Sequence, residues 1–489
     1  MLSLIIFLPI VAALAILVGA PARKTAFGAA IAEFLLTVFA FLSYDKVKGG
    51  FQFLSVSPIV PEWKLNYAVG ADGLSLVMLL LTGIVTLAAI WVTPKIEKRE
   101  NVFYACVLLI TAGAAGAFAS TDLFFFYAFH ELALIPTFLL IGLWGTGERY
   151  TAAWKITIYL GLGSFVLLIG LVDLYLAVPV ASRTFNIIEL QSLAANGLIP
   201  AEAQSRPYIF LLIGFGILIS LFPFHSWAPP AYASAPTPAA MLHAGVLKKF
   251  GLYGLIRVAL PLLPEGAKAW ANVLLILLVG NIIYVGLVTI AQKKLDLLLG
   301  YSSVMHMGYI FLGIAALNLV GVSGAAMLMF AHGLSIAALF AMAGFLRQRN
   351  PLLLLDSFGG LAKSAPWLAF AFGLAAFASI GLPGFANFAS ELTVFFGAFQ
   401  PNPGLPVGNF HLATVFALWG VVISAVYMLR AYRAIFWGEP GKDMADWTDP
   451  VKFLRWPVVL LLAVLLLAGF APGAFLAYVK PSIEALLPK

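Results

Sequence analysis

Charge and cysteine are both scarce in this sequence. Only 10% of its 489 residues are charged, whereas 62% are apolar and the mean hydropathy is +1.02. Soluble domains do not have this balance, and apolar runs of about 20 residues, the length of a membrane-spanning helix, recur along the chain. The sequence therefore predicts an all-α protein that crosses a membrane many times.

Several motifs are also absent, and their absence excludes further classes of function. The sequence contains no CxxC pair, no haem attachment motif and no nucleotide-binding glycine motif. The single cysteine, Cys106, lies in an apolar run, where we expect a buried and inert thiol. No two histidines or cysteines have metal-ligand spacing, so we predict no metal site. The net charge of +7 is carried mostly by loop residues and does not indicate a nucleic-acid partner.

Fourteen membrane helices are predicted, and the seventh and twelfth are interrupted. The N-terminus lacks the basic leader of a cleaved signal peptide, so we expect the first helix to begin there. The predicted helices are 2–19, 26–44, 73–93, 101–119, 122–144, 152–178, 207–222, 236–262, 268–291, 298–316, 320–347, 366–398, 408–436 and 454–478.

The predicted helices group into four parts. Residues 1–100 hold the first three helices, and residues 437–489 hold an inside loop and the last helix. Between them lie two units of five helices each, 101–262 and 263–436. Because five is an odd number, the two units would have opposite topology, which is the inverted-repeat plan of many transporters.

Loop charges predict the orientation of these helices. With the N-terminus outside, the inside loops hold 17 of the 28 lysines and arginines and the outside loops hold 8. Basic residues concentrate on the inside of a membrane protein. We therefore predict an inner-membrane protein with both termini outside.

Prolines and buried lysines concentrate in the seventh and eighth predicted helices. The seventh is broken near Pro223 and His225, and the eighth carries His243, Lys248 and Lys249. A broken helix survives in a bilayer only where protein or water satisfies its freed backbone groups, and ammonium groups at membrane depth normally mark an ion pathway. This region is therefore typical of transport machinery. Alternatively, one lysine is functional and the other pairs with a carboxylate such as Asp173.

Two glutamates lie in apolar surroundings. Glu131 is flanked by apolar residues on both sides, and Glu391 follows the second break, which begins at Gly381. A carboxylate at membrane depth must be neutral, paired or hydrated, which suits a proton carrier. The alternatives are a structural hydrogen bond at Glu131 and a capping role at Glu391. Glu33 and Asp173 lie nearer helix ends, where they could equally face the membrane interface.

Histidines complete the predicted polar axis. His225, His243, His306 and His332 all fall in or beside predicted helices. Histidine titrates near neutrality and suits proton relays, although a single buried histidine is more often a satisfied core residue. Together with the buried lysines and glutamates, they favour one shared axis for proton transfer. His130 adjoins Glu131 and points elsewhere, so a helix contact is as reasonable a role for it.

Several stretches resemble the antiporter-like membrane subunits of respiratory complex I, and among them the M-type subunits. The stretches that carry the resemblance are Gly70–Ser75, Phe124–Pro136, Arg149–Lys155, Pro223–Pro229, Ala235–Pro238, Gly245–Lys249, Tyr301–Gly308, Ala331–Ser335 and Gly384–Glu391. The resemblance implies a fold of fourteen helices with two inverted five-helix repeats. It also implies that FMN, iron–sulfur clusters and quinone belong to other subunits, that this chain holds no cofactor, and that L-like and N-like subunits are its membrane neighbours.

The resemblance also implies roles for individual residues. The family axis carries a glutamate at the position of Glu131, a lysine at that of Lys249, and histidines such as His306 and His332. Its last member is a glutamate in M-type subunits, here Glu391, and a lysine in the L-type, N-type and Mrp antiporter subunits. Quinone reduction in other subunits would drive protons along this axis.

One position departs from the family pattern. The lysine expected five residues before Pro223 is replaced by Leu218, so the usual partner of Glu131 is missing. Lys248, where the family usually has an apolar residue, is a hypothetical substitute for it. His243 also resembles the L-type pattern more than the M-type.

Four functions follow, in decreasing order of support. The first is a proton-translocating subunit of a complex I-type NADH or ferredoxin:quinone oxidoreductase, and the second is a subunit of a Mrp-type sodium/proton antiporter or a membrane-bound hydrogenase. The third is a structural subunit that does not pump, which only Leu218 supports. A lipid-modifying membrane enzyme ranks last, because the buried charges lie near mid-membrane rather than at one interface.

Overall fold

The computed structural model describes residues 1–439 and 447–487, and these are mostly helical. In chain order the α-helices are α1 Leu2–Leu17, α2 Ala22–Leu42, α3 Gly73–Val92, α4 Glu100–Ala119, α5 Leu123–Trp144, α6 Arg149–Ala177, α7 Ile187–Ala195, α8 Ser205–Ile219, α9 Ala228–Ser234, α10 Thr237–Leu242, α11 Lys249–Gly254, α12 Leu260–Leu262, α13 Pro264–Ala269, α14 Ala271–Val279, α15 Gly286–Ile290, α16 Leu295–Ala315, α17 Leu319–Arg347, α18 Pro366–Ile380, α19 Ala386–Phe399, α20 Val407–Phe436, α21 Lys452–Phe470 and α22 Pro472–Leu486. The predicted inside loop that opens the last part, 437–489, falls partly outside the described residues.

The helices form one packed bundle around a few that are almost completely enclosed. Eleven helical stretches of the described residues are long and apolar enough to cross a membrane. The apolar window of α17 is 100% buried, whereas that of α21 is 28% buried, so α17 lies at the centre and α21 on the outside. The predicted all-helical, multi-span fold is confirmed. The count of fourteen spans and the inverted relation of the two units stay predictions.

Both predicted interruptions are present, and side chains satisfy part of the backbone that the first one frees. After α8, Ser220 adopts a left-handed conformation with φ +71°, and a short 3-10 turn, Phe224–Trp227, precedes α9. Asn281 donates to the Ser220 carbonyl at 3.1 Å and accepts from the Phe222 N–H at 2.6 Å. This is how a bilayer tolerates a broken helix. After α18, Gly381 has φ +82°, which glycine adopts without strain.

The eighth predicted helix is wound unevenly. Residues 237–262 combine α10, α11 and α12 with π-helical segments at His243–Leu247 and Leu255–Ala259. The N–H of Lys248 bonds to the His243 carbonyl at 3.1 Å, five residues back, which is the π pattern. Such segments are frequent at functional sites because they re-aim the side chains around them. We call residues 237–262 the lysine-bearing helix.

The two longest connections between the predicted helices on the outside face contain regular structure. Residues 44–72 hold an antiparallel hairpin of β1 Gln52–Val60 and β2 Leu65–Ala71, and the second connection, 179–206, holds α7. The last predicted helix, 454–478, is divided at Ala471 into α21 and α22.

A buried ion pair connects the hairpin end to the lysine-bearing helix. Arg257 donates to Asp72 at 2.5 Å, and the two side chains are only 1% and 4% exposed. Asp72 also caps α3 by accepting from the Ser75 N–H at 3.0 Å, and Arg257 lies 4.8 Å from the Phe51 ring centre. The pair therefore joins β2, α3 and the lysine-bearing helix.

We expect Asp72→Asn to destabilise the protein strongly. Removing one partner leaves the Arg257 guanidinium buried without its counter-charge, which typically costs about 3–5 kcal/mol. The matched control is Asp173→Asn, because Asp173 pairs with Arg206, whose side chain is 77% exposed, and pairs at the surface contribute about 0–1 kcal/mol. The thermal unfolding midpoint of the purified complex measures both. Equal midpoints for the two variants would contradict a stabilising role for the buried pair.

Candidate functional site

Lys249 lies at the centre of a series of buried polar contacts. Its ammonium group is enclosed, donates to the Ala244 carbonyl at 2.6 Å, and lies 3.0 Å from Nδ1 of His332 on α17. The carbonyl belongs to the π-helical segment of the same helix. One lysine thus connects irregular backbone to a histidine on the central helix.

His306 on α16 continues this series. Its ring centre lies 5.5 Å from that of His332. Its Nδ1 lies 2.7 Å from the Ser302 carbonyl and its Nε2 lies 2.8 Å from the Ser379 carbonyl. Ser379 is in the last turn of α18, where the second break leaves carbonyls without helical partners. A neutral imidazole donates from one nitrogen only, so both bonds form together only when His306 carries two protons. Two carbonyl oxygens therefore face the two ring nitrogens of His306.

Lys248 has different contact partners from Lys249. Its Nζ lies 3.4 Å from Ser303 Oγ on α16 and 5.3 Å from the centre of the Tyr232 ring. Successive residues of a helix point about 100° apart, which separates the two lysines. The suggested pairing of a lysine with Asp173 is wrong, because Asp173 accepts from Arg206 at 2.6 and 2.9 Å.

Glu131 is held by hydroxyl groups instead of a cation. Ser164 on α6 donates to its Oε1 and also lies 3.4 Å from the Tyr127 hydroxyl. Among the described residues, no basic side chain comes within 4.0 Å of this carboxylate. Leu218 packs against this turn of α6, since a Cβ on Gly163 would lie 3.2 Å from its Cδ2. The structure therefore places Leu218, and not Lys248, beside the group that binds Glu131.

Glu391 lies in α19 just after the second break. It is 3% exposed, and its Oε1 has no hydrogen-bond partner in the described part of the chain. Gly381 has a positive φ, which favours glycine, and its Cα lies so close to the other Glu391 oxygen that a Cβ there would displace the carboxyl group. The Tyr309 hydroxyl is also buried and unpaired, and the Tyr309 ring lies edge-on to His306 at 5.7 Å. Glu391 is therefore a carboxyl group beside an opening in the helix, close to the elements that hold His306.

The two remaining predicted histidines lie near the first break. Nδ1 of His243 is 3.2 Å from the Tyr232 hydroxyl, whose ring also faces Lys248. His225 stacks on Phe222, and its Nδ1 has no partner among the described residues. Both residues line the broken region, but neither touches the series formed by Lys249, His332 and His306.

Sequence reasoning missed the uncharged partners and left the position of Glu33 open. Ser164, Ser303 and Tyr232 contact the buried charges, but serine and tyrosine are too common in membrane helices to be noticed. Glu33, for which a position at the membrane interface was an equal alternative, is completely buried, and both of its oxygens lack partners in the described residues. It lies on the buried stripe of α2 with Ala26, Ala30 and Thr37, so its helical spacing was the available signal.

Comparison with known proteins shows what this chain is similar to. Residues 120–417 match the family described as NADH:quinone oxidoreductase/Mrp antiporter, TM. The NAD(P)H-quinone oxidoreductase chain 4 2 of Thermosynechococcus vestitus is 37% identical, covering 91% of this chain and 83% of the relative. The NADH-quinone oxidoreductase subunit M of Rickettsia felis is 32% identical, covering 100% and 99%. A chain of respiratory complex I from Thermus thermophilus with bound NADH matches with a TM-score of 0.90 and 30% identity over 100% of both chains.

Proposed function

This chain belongs to the membrane-subunit family shared by NADH:quinone oxidoreductases and Mrp antiporters, and on that premise we propose that it carries protons across the cytoplasmic membrane as subunit M of a complex I-type NADH or ferredoxin:quinone oxidoreductase. Quinone reduction in other subunits of the complex supplies the energy, and the redox groups belong to those subunits. The L-like and N-like subunits are its membrane neighbours.

The contact series of Lys249, His332 and His306 carries this proposal. A charged Lys249 donates to Nδ1 of His332 across 3.0 Å, so one proton can pass from the ammonium to the imidazole. The two ring centres lie 5.5 Å apart, and both nitrogens of His306 face carbonyl oxygens, so the further transfer to His306 passes through one water when one of these carbonyl contacts opens. There the two carbonyls stabilise the imidazolium. Because like charges repel strongly in a dry interior, the series holds one proton at a time.

The two glutamates stand at the ends of this route. Glu131 lies in α5 beside Ser164, and Glu391 lies beside the second break. A carboxyl that can be neutral or charged passes a proton between a buried relay and water. Glu131 belongs to the first predicted five-helix unit and Glu391 to the second, so the proposed route has one carboxyl group in each unit.

The apolar outer surface fits a subunit surrounded by lipid and other membrane proteins. On α6, Trp154 and Phe165 are about as exposed as Leu412 and Trp419 on α20. Side chains of this kind on the outside of a membrane bundle contact acyl chains or neighbouring helices.

Ion flux measurements on the reconstituted complex test the proposed function. We expect electron flow to acidify proteoliposomes in a protonophore-sensitive manner, with no uptake of radioactive sodium. His332→Leu should lower the number of protons moved per electron, whereas His130→Leu should not, because His130 only stacks on Phe250 at 4.0 Å. Sodium uptake driven by electron flow would favour the antiporter function instead. Equal proton yields in both variants would leave this chain a structural subunit.

Restoring the family lysine gives a separate prediction for Glu131. We expect Leu218→Lys to be tolerated, because residue 218 lies beside the turn of α6 that binds Glu131, and the new ammonium would pair with that carboxylate. The same change combined with Glu131→Gln would leave a buried lysine unpaired and should cost about 3–5 kcal/mol.

The yield of assembled complex and its thermal midpoint measure this coupling. The matched control is Ile219→Lys, since Ile219 packs against Gly251 of α11 instead of against the turn of α6 that binds Glu131. It should destabilise the protein whether or not Glu131 is present. If Leu218→Lys behaves like this control, residue 218 does not reach Glu131.

A further inference from the structure

A cavity opens at the end of the bundle where α3 ends and α4 begins. Its volume is about 590 Å³. The loop 94–99, the end of α5, the start of the lysine-bearing helix and the end of α17 enclose it. The cavity therefore lies outside the contact series of Lys249, His332 and His306, but it touches the first residues of the lysine-bearing helix.

The charged side chains that line this cavity are mostly basic. Lys95, Lys98 and Arg99 line it, and none of the three has an ion-pair partner within 4.0 Å in the described part of the chain. Glu97 is the one acidic residue in the lining. A fourth basic residue, Arg347, is already held by the Ala233 and Ala235 carbonyls at 2.9 Å and by Asp296 at 3.1 Å. The excess positive charge favours an anionic ligand and disfavours a cation.

The loop that carries these residues is fixed in position. Trp144 donates from its indole N–H to the Lys98 carbonyl at 2.9 Å. Arg99 adopts a left-handed conformation with φ +54°, which is uncommon for a residue other than glycine, asparagine or aspartate. Arg99 also precedes α4, whose positive N-terminal end adds to the potential. Backbone held in a sparsely populated conformation of this kind is concentrated at functional sites such as ligand-binding sites.

The remaining wall of the cavity is apolar and leads to the side of the bundle. Phe103 and Leu143 line it, and the Leu143 side chain is 38% exposed. Tyr150 and Trp154, both exposed on α6, follow closely in the chain. Exposed aromatic residues at helix ends mark the depth of the lipid headgroups. A ligand here therefore has an anionic part inside the cavity and an apolar part that continues into the membrane.

We propose that this cavity binds the phosphate of an anionic phospholipid, with Lys95, Lys98 and Arg99 around the headgroup and the acyl chains leaving past Leu143. Basic pockets between membrane helices bind such headgroups through the same combination of charge and depth. A bound lipid would connect the loop 94–99 to the start of the lysine-bearing helix and hold them together. A small soluble phosphate would satisfy the charge but leave the apolar wall uncovered.

Thermal stability of the delipidated full complex in detergent tests this site. Phosphatidylglycerol is expected to raise the unfolding midpoint and to remain bound in native mass spectrometry, whereas phosphatidylcholine with the same acyl chains and inorganic phosphate do neither. The triple variant Lys95→Gln, Lys98→Gln, Arg99→Gln should bind phosphatidylglycerol roughly a hundredfold more weakly, because each basic residue contributes about a fivefold gain near an anionic headgroup.

A control triple variant, Lys293→Gln, Lys294→Gln, Arg433→Gln, removes basic residues that do not line the cavity and should bind as the wild type does. If the cavity triple variant fails to assemble, the single change Lys98→Gln, at an exposed side chain, provides the comparison. Equal binding by the cavity and control variants would overturn the proposal. A response to phosphatidylcholine equal to that with phosphatidylglycerol would show general lipid binding. An equal response to inorganic phosphate would show a site for soluble anions. Either result would also overturn the proposal.

Discussion

Replacing Lys249 by leucine is expected to stop proton transfer through this chain while quinone reduction continues. Among the described residues, the change removes the only ammonium that touches the His332 imidazole, so the relay loses the group that delivers its proton. Loss of a positioned proton-transfer group typically costs a factor of about 10²–10⁴ in rate. The Ala244 carbonyl would also lose its donor, so a modest loss of stability should accompany the effect.

The matched control is the neighbouring substitution, Lys248→Leu. Both lysines are buried in the same helix, but Lys248 contacts Ser303 and the Tyr232 ring instead of the histidines. We expect this variant to pump nearly normally. The number of protons moved per electron distinguishes the two variants. It is measured in proteoliposomes with a pH-sensitive dye.

The opposite result would support a different mechanism. If Lys248→Leu abolishes coupled turnover and adding Leu218→Lys restores it, then Lys248 has taken over the role of the missing family lysine. If Lys249→Leu pumps normally, the contact series does not carry protons. The present geometry favours neither outcome, because Lys248 lies against α16 and Leu218 lies against α6.

Much of the fold could be predicted because apolar runs and prolines report directly on membrane helices. The third predicted helix, 73–93, is observed as Gly73–Val92, and the eleventh, 320–347, as Leu319–Arg347. The family resemblance is confirmed as well, since residues 120–417 match that family. The hairpin was missed because β1 is mostly exposed and contains Pro58, so it shows neither an apolar run nor a regular alternation.

The candidate site could be predicted only as a set of residues, without their contacts. A charge in an apolar run is conspicuous in any sequence, which is why Glu131, Lys249 and Glu391 could be selected. Their partners depend on the register between helices that are distant in the chain, such as the lysine-bearing helix and α17. The π-helical turn that directs the Ala244 carbonyl to Lys249 differs from an α-helix by single hydrogen bonds and has no sequence signature.

Glu391→Gln is the second substitution expected to have a large effect. The change keeps the size of the side chain but removes its ability to give or take a proton. If the carboxyl beside the second break passes protons between His306 and water, its loss should reduce proton transfer through this chain by a factor of about 10²–10⁴. Glu391→Asp, which keeps a carboxyl group, should retain partial activity.

The matched control for this prediction is Glu33→Gln, because Glu33 is also buried and its carboxylate is also unpaired among the described residues. It lies on α2, away from both breaks and from the contact series. A buried carboxyl without partners is least costly in its neutral form, which glutamine resembles, so this control should assemble and pump normally. Protons moved per electron should therefore fall in Glu391→Gln alone. An equal loss in both variants would trace the effect to the disturbance of any buried carboxyl, and normal pumping in both would exclude Glu391 from the route.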